Sequence, residues 1–274
     1  MLRLPAPYDF ELSTERYRAF GPDLANLWHE GGLHRVVGER EVRIEAAPGG
    51  VRVEPLDAEI EWVVRTLLGA GFDLDGFADF ARRDRTLGRL ATLLAGLRPP
   101  LAPDPFESLV TSITAQQVSL RAAFAIRNRL IRLLGKPALR AFSFPSRGRV
   151  ARTKPEKLTA VGFSRRKAEC VVALARNDLD LDSLSSLPDE DVKARLTELP
   201  GVGEWTADWF LARHLGRPQA WPAGDLGLRK AVGAFYDGGR TLSTEETRAF
   251  GSRFSPFQNL SAHYLLTGMR VLRP

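Results

Sequence analysis

The sequence predicts a mainly helical protein that begins with a small α+β domain. Three features of the residue pattern carry that prediction. Short runs before residue 55 alternate apolar and polar residues, the period switches to a helical one at Ala58, and helical runs broken by glycine and proline stops fill the chain beyond Asp104. The alternating runs are His34–Glu45 (HRVVGEREVRIE) and Val51–Glu54, and the APGG between them is expected to turn one strand back on the other. In Ala58–Gly71 (AEIEWVVRTLLGAG), Ile60, Val63, Val64, Leu67 and Leu68 share a helix face, and Gly69 and Gly71 stop it. Helices are expected next at Asp75–Arg83 and Thr86–Leu97. The proline-rich Arg98–Pro105 (RPPLAPDP) cannot be helical throughout. Stops then fall at Gly135-Lys136-Pro137, Gly148, Gly162, Pro188, Gly201, Pro218, Pro222-Ala223-Gly224 and Gly238-Gly239. The expected division is an α+β domain with a small antiparallel sheet over 1–73 and a helical region over 74–274.

Composition narrows the function classes. Of 274 residues, 44% are hydrophobic and 26% charged, which excludes a disordered chain. No apolar run approaches the roughly 20 residues of a membrane span, and the opening MLRLPAPYDFELS lacks the apolar stretch of a secretory leader. A single cysteine, Cys170, excludes an internal disulfide framework and a four-thiolate metal site, and the four histidines sit at no ligand spacing. A cytoplasmic protein without a cofactor is expected. The net charge is +6, but residues 1–73 hold 8 basic against 13 acidic residues, leaving 31 against 20 in the remainder. That asymmetry, mostly arginine, suits a helical region that meets a polyanion.

The stretch 199–231 (LPGVGEWTADWFLARHLGRPQAWPAGDLGLRKA) carries the chemistry. Helices expected at Asp189–Leu199 and Thr206–His214 leave only Pro200-Gly201-Val202-Gly203 to join them, a tight hairpin over about 190–214. Glycines at 201 and 203 allow positive φ and leave the backbone unshielded. Their N–H groups, with the open donors of the second helix, then form a phosphate site that positions a duplex without reading its bases. A plain interhelical turn explains the same residues as well. Asp225 follows 22 residues after Gly203, behind the turn Trp221-Pro222-Ala223-Gly224 and before a helical run. Locally it reads as an N-cap, a role compatible with a charged catalytic group because a helix N-terminus favours negative charge.

The hairpin LPGVGxxTA, its spacing to an aspartate and the helix beyond resemble the helix–hairpin–helix DNA glycosylase superfamily, and within it the AlkA branch of 3-methyladenine DNA glycosylases. Asp104–Ala122 (DPFESLVTSITAQQVSLRA) resembles the family's helix and lesion-side loop. Phe144–Ala175, with its GFxxRKA turn, resembles the helices that follow, and PYDF with the small sheet resembles the branch's extra domain. The resemblance implies a monomeric enzyme of base excision repair that flips alkylated bases such as 3-methyladenine and 7-methylguanine out of duplex DNA and hydrolyses their N-glycosidic bonds. Asp225 matches the catalytic aspartate. Trp205 stands where members that also cut the strand carry a lysine nucleophile, so no lyase step is implied. Trp205 and Trp209, at i and i+4, are expected to line the base pocket. Leu226 and Leu266 stand where relatives have aromatic residues, which implies a more open pocket and a broadened substrate range. For DNA contact the resemblance implies Gln116, Gln117 (the candidate wedge into the gap left by the flipped base), Gly201, Val202, Gly203, Glu204, Thr206 and Arg165. It also implies a monovalent cation at the carbonyls of Leu199 and Val202. The competing reading is a non-catalytic DNA-binding module, in which a carboxylate at 225 has no use.

Overall fold

The computed structural model describes residues 1–272. Five strands, β1 (Leu2–Arg3), β2 (Leu27–His29), β3 (Gly32–Val37), β4 (Arg40–Ala47) and β5 (Gly50–Glu54), form one antiparallel sheet in the order β1-β5-β4-β3-β2. The expected hairpin is its β4–β5 half, with Ile44 opposite Val53. The run His34–Glu45 is two strands and not one, because Gly38, at φ +61°, turns the chain and puts Leu33 opposite Ile44. The short strands β1 and β2 extend the sheet at its two edges, and neither is long enough to show a period in sequence.

Helices α1 (Phe10–Thr14), α2 (Arg16–Ala19) and α3 (Ala58–Leu67) complete the first domain. Ile60, Val64 and Leu67 of α3 seal Leu33, Val42, Ile44 and Val53 of the sheet, all buried. The helical region holds α4 (Leu74–Ala81), α5 (Arg85–Leu93), α6 (Pro105–Ala115), α7 (Leu120–Leu134), α8 (Arg147–Ala151), α9 (Pro155–Thr159), α10 (Arg165–Arg176), α11 (Asp189–Thr197), α12 (Glu204–Arg213), α13 (Leu226–Tyr236), α14 (Thr244–Gly251) and α15 (Gln258–Val271). It has two apolar cores. One joins α6 through α12, and the other brings α4 and α5 onto α13 and α15, so the chain returns from its C-terminal end to its middle.

The sheet domain is locked to the helices by buried charge. Arg35 of β3 donates to Glu107 of α6 at 2.7 Å, and Arg127 of α7 donates to Glu107 at 2.5 Å and also to Asp23. All four side chains are at most one-tenth exposed. Burial alone would push the Glu107 carboxyl up, but the two guanidinium groups beside it hold it below the ordinary carboxylate range.

Candidate active site

The hairpin is a tight glycine turn between two helices. Helices α11 and α12 are tied by Lys193 Nζ on Asp208 Oδ1 at 3.1 Å. Gly201 has φ +79°, and a Cβ there would stand 2.3 Å from Cys170 Sγ, so both conformation and space require glycine. Gly203 departs from the expectation of two positive φ angles: it is extended, at φ −103°, and a Cβ would meet nothing within 4 Å. Its smallness matters to what approaches from outside and not to the fold. As N-cap of α12 it offers no side-chain acceptor, whereas α3, α6, α7 and α13 are each capped by a side chain. The opening N–H groups of α12 are therefore open toward an anion. The Glu204 carboxylate in that first turn is drawn aside by Arg248 at 2.7 Å, which holds its pKa down.

Several residues expected at the DNA surface are engaged inward. Val202 and Thr206 are buried, so they can meet DNA only through backbone. Gln116 donates from Nε2 to the Gly201 carbonyl at 2.9 Å and to Thr206 Oγ1 at 3.0 Å, splinting the end of α6 to the hairpin. Arg165 is exposed and paired with Glu169 at 2.9 Å along its own helix. Gln117 is exposed as well: it has φ +54°, a conformation side chains rarely adopt, and it lines the cavity described below. Lys167 Nζ donates to the carbonyls of Thr114 and Gln116 and so fixes the root of that loop from α10.

Asp225 is held from two sides. Its Oδ1 caps α13 by accepting from Leu228 N at 2.9 Å. Its Oδ2 accepts from the indole Nε1 of both Trp205 and Trp209, each at 3.1 Å. The two tryptophans share a helix face as their spacing predicts, but they present edges to the carboxylate. Trp209 is 2% exposed, and the Arg213 guanidinium lies 3.4 Å over its ring. Trp209 therefore borders the cavity with one ring face covered by Arg213. Trp221 donates to the Thr247 carbonyl at 2.8 Å and lies against Phe254. Gly203 and Trp209 are six residues apart on one helix, about 9 Å along its axis. The hairpin turn and the carboxylate are thus registered by a single rigid element.

A cavity of about 940 Å³ opens over this carboxylate, between the two domains. Trp205, Trp209, Asp225, Leu226 and Leu266 all line it. Leu226 is 53% exposed at its edge, and Leu266 packs deeper, against Gly227. Its far wall is the buried network of Asp23, Arg35, Glu107 and Arg127, and Arg16, Arg213 and Arg270 border it as well. Sequence reasoning missed these arginines. Arg213 was within reach, four residues after Trp209 on the same helix, but Arg16 and Arg270 come from opposite ends of the chain and share no local pattern. Among the described residues no group of three His, Cys, Asp or Glu side chains could hold a metal. No helix of the described residues is long and apolar enough to cross a membrane.

A model of the HhH-GPD superfamily of base excision DNA repair proteins matches residues 110–256. A DNA-3-methyladenine glycosylase of Bacillus subtilis is 27% identical over 71% of this chain and 68% of its own length. A protein of Mycobacterium tuberculosis described as a probable bifunctional transcriptional activator/DNA repair enzyme AlkA is 31% identical over 97% of this chain, which spans 56% of that relative. Among solved structures, the 3-methyladenine DNA-glycosylase from Archaeoglobus fulgidus superposes with a TM-score of 0.89 at 26% identity, over 99% of this chain and 98% of that one.

Proposed function

The chain belongs to the HhH-GPD superfamily of base excision DNA repair proteins, and we propose that it is a monofunctional DNA glycosylase that hydrolyses the N-glycosidic bond of alkylated bases, 3-methyladenine and 7-methylguanine among them, in duplex DNA. The observation that carries this reading is the Asp225 carboxylate, gripped by Leu228 N and the indoles of Trp205 and Trp209 inside a cavity beside an uncapped helix N-terminus. A carboxylate accepts about four hydrogen bonds. With three taken it is fixed in place and keeps one site for a water. A fixed negative charge stabilises the oxocarbenium character that grows on the deoxyribose, and the free site can take a proton from the attacking water. A cationic methylpurine departs as a neutral base and needs no acid, which is why one carboxylate suffices.

In this reading the α12 N-terminus holds a backbone phosphate, and the strained, exposed Gln117 fills the gap in the duplex and hydrogen-bonds the orphaned partner base. The carbonyls of Leu199 and Val202 are of the donor type that suits a hard monovalent cation, and the Gly201 carbonyl between them is engaged by Gln116. A cation there would add positive charge facing the phosphate.

Trp205 at the nucleophile position supports hydrolysis without strand cleavage. Lys230 also borders the cavity, from α13, and is the lysine to exclude. The test is incubation of methylated duplex with the protein, scoring nicks before and after alkali, with borohydride present in a parallel reaction. Base release with alkali-dependent nicks and no trapped adduct is the expected result. A borohydride adduct that disappears in Lys230→Ala would overturn the monofunctional reading.

A further inference from the structure

Behind the arginines that border the cavity over Asp225 lies a second, enclosed cavity of about 20 Å³, between the start of α2, residues 97–100, the end of α12 and one face of α15. Arg16, Arg213 and Arg270 line both cavities, so they form the partition. Of the three, Arg270 is the one held by a carboxylate among the described residues, Glu15 Oε2 at 3.0 Å. Asp225 does not line the second cavity, and its oxygens are held by Leu228 N and the two indoles. Crowding marks the groups themselves. Burial and the neighbouring Arg16 push the Arg213 guanidinium well down, with Asp225 opposing, and burial and Arg270 push Arg16 down to about 10.

Two buried polar atoms in this wall have no hydrogen-bond partner, Arg213 Nε and His263 Nε2. His263 is 7% exposed and lies edge-on to Trp209. His263, Thr267 and Arg270 stand at i, i+4 and i+7 of α15 and so share a face. Thr267 Oγ1 accepts from Arg270 at 3.1 Å and keeps its own proton to give. Ser13 is spent, accepting from Arg98 N and donating to the Gly96 carbonyl. The wall thus offers Arg213 Nε–H and Thr267 O–H without acceptors, and His263 Nε2 joins them in the tautomer that carries its proton there. A water would bring two protons of its own, for which these side chains offer little beyond the engaged Glu15. A monatomic anion accepts from every donor and cancels a charge as well. About 20 Å³ is room for one water-sized particle, which excludes phosphate, sulfate and carboxylate ligands.

We propose that this second cavity is a halide site, filled by chloride in the cell, in which one anion accepts from Arg213 Nε, Thr267 Oγ1 and His263 Nε2 and offsets the charge of Arg16 and Arg213. The ion is structural. It ties α2 of the first domain to α12 and α15, and it backs the guanidinium that lies 3.4 Å over Trp209, the indole whose Nε1 reaches Asp225. The site stands independently of the glycosylase reading. Crystals grown in gluconate and soaked in bromide, measured at the bromine absorption edge, are expected to show an anomalous peak in this cavity within hydrogen-bond reach of Arg213 and Thr267. In solution, chloride replacing gluconate at constant ionic strength is expected to raise Tm by about 2–4 °C. Thr267→Val, which removes a donor, should shrink that rise. Arg16→Met, which relieves the crowding, should lose most of it, with a Tm in gluconate at or above that of wild type. A map without bromide in the cavity overturns the proposal, as does a wild-type Tm that is equal in the two salts or a rise undiminished in both folded variants. A bromide peak without the rise in Tm is binding at crystal concentration only and overturns it too. Should neither variant fold, the bromide map and the wild-type rise decide the matter together.

Discussion

Replacing Glu107 by Gln tests whether buried charge holds the two domains around the cavity. Glu107 accepts from Arg35 at 2.7 Å and from Arg127 at 2.5 Å, and these side chains are 5%, 10% and 3% exposed. Glutamine keeps the shape but removes the charge, leaving Arg35 and Arg127 with Asp23 as the sole carboxylate and one positive charge uncompensated. Breaking a buried pair in this way costs about 3–5 kcal/mol, a large share of the roughly 5–15 kcal/mol that holds a domain folded. Equilibrium denaturation at neutral pH, followed by far-ultraviolet circular dichroism, measures the loss directly. The pH dependence has a definite sign. The folded Glu107 lies below its unfolded value, so its contribution is complete above that value, about 4.3, and is lost as pH falls through the folded one. The gap between wild type and variant should therefore close as the pH is lowered below about 4. A loss under about 1 kcal/mol at neutral pH, the range of exposed pairs, would refute the reasoning and mean that water in the cavity screens the network.

The hairpin glycines should separate cleanly. Gly201→Ala is strained at φ +79° and collides with Cys170, so its Tm should fall by several degrees. Gly203→Ala has room within the fold, so its Tm should hold while the added methyl weakens duplex binding in a titration. Asp225→Asn should lose about 1–3 kcal/mol in denaturation, because one amide oxygen cannot accept from Leu228 N on one side and from two indoles on the other. Duplex affinity should fall steeply with salt, as arginine–phosphate contacts displace counterions, and a flat plot of log K against log salt would remove DNA as the ligand.

Much of the helical region was legible in the sequence because its punctuation is chemical. Proline at 105 opens α6, Gly201 breaks α11 from α12, and Asp225 caps α13, each for a local reason that a sequence displays. The sheet was only partly legible. Gly38 hides a turn inside what reads as one alternating run, and the strands Leu2–Arg3 and Leu27–His29 are too short to carry a period. The site divides in the same way. Asp225 and the hairpin are close in sequence and have fixed local geometry. That Trp205 and Trp209 turn their N–H edges to Asp225 depends on how α12 packs on α13, which no residue spacing encodes. The arginine cluster is assembled from residues 16, 213 and 270, and in an arginine-rich chain nothing marks them out before the chain is folded.

The most direct test of the central claim is single-turnover release of 7-methylguanine from duplex DNA by wild type and Asp225→Asn, with duplex affinity measured on the same preparations. Removing a charge fixed against an oxocarbenium-like transition state should slow release about 100- to 10,000-fold, equivalent to about 3–5 kcal/mol of barrier, while affinity is kept or improved. Release at the wild-type rate from a folded Asp225→Asn protein would contradict the account.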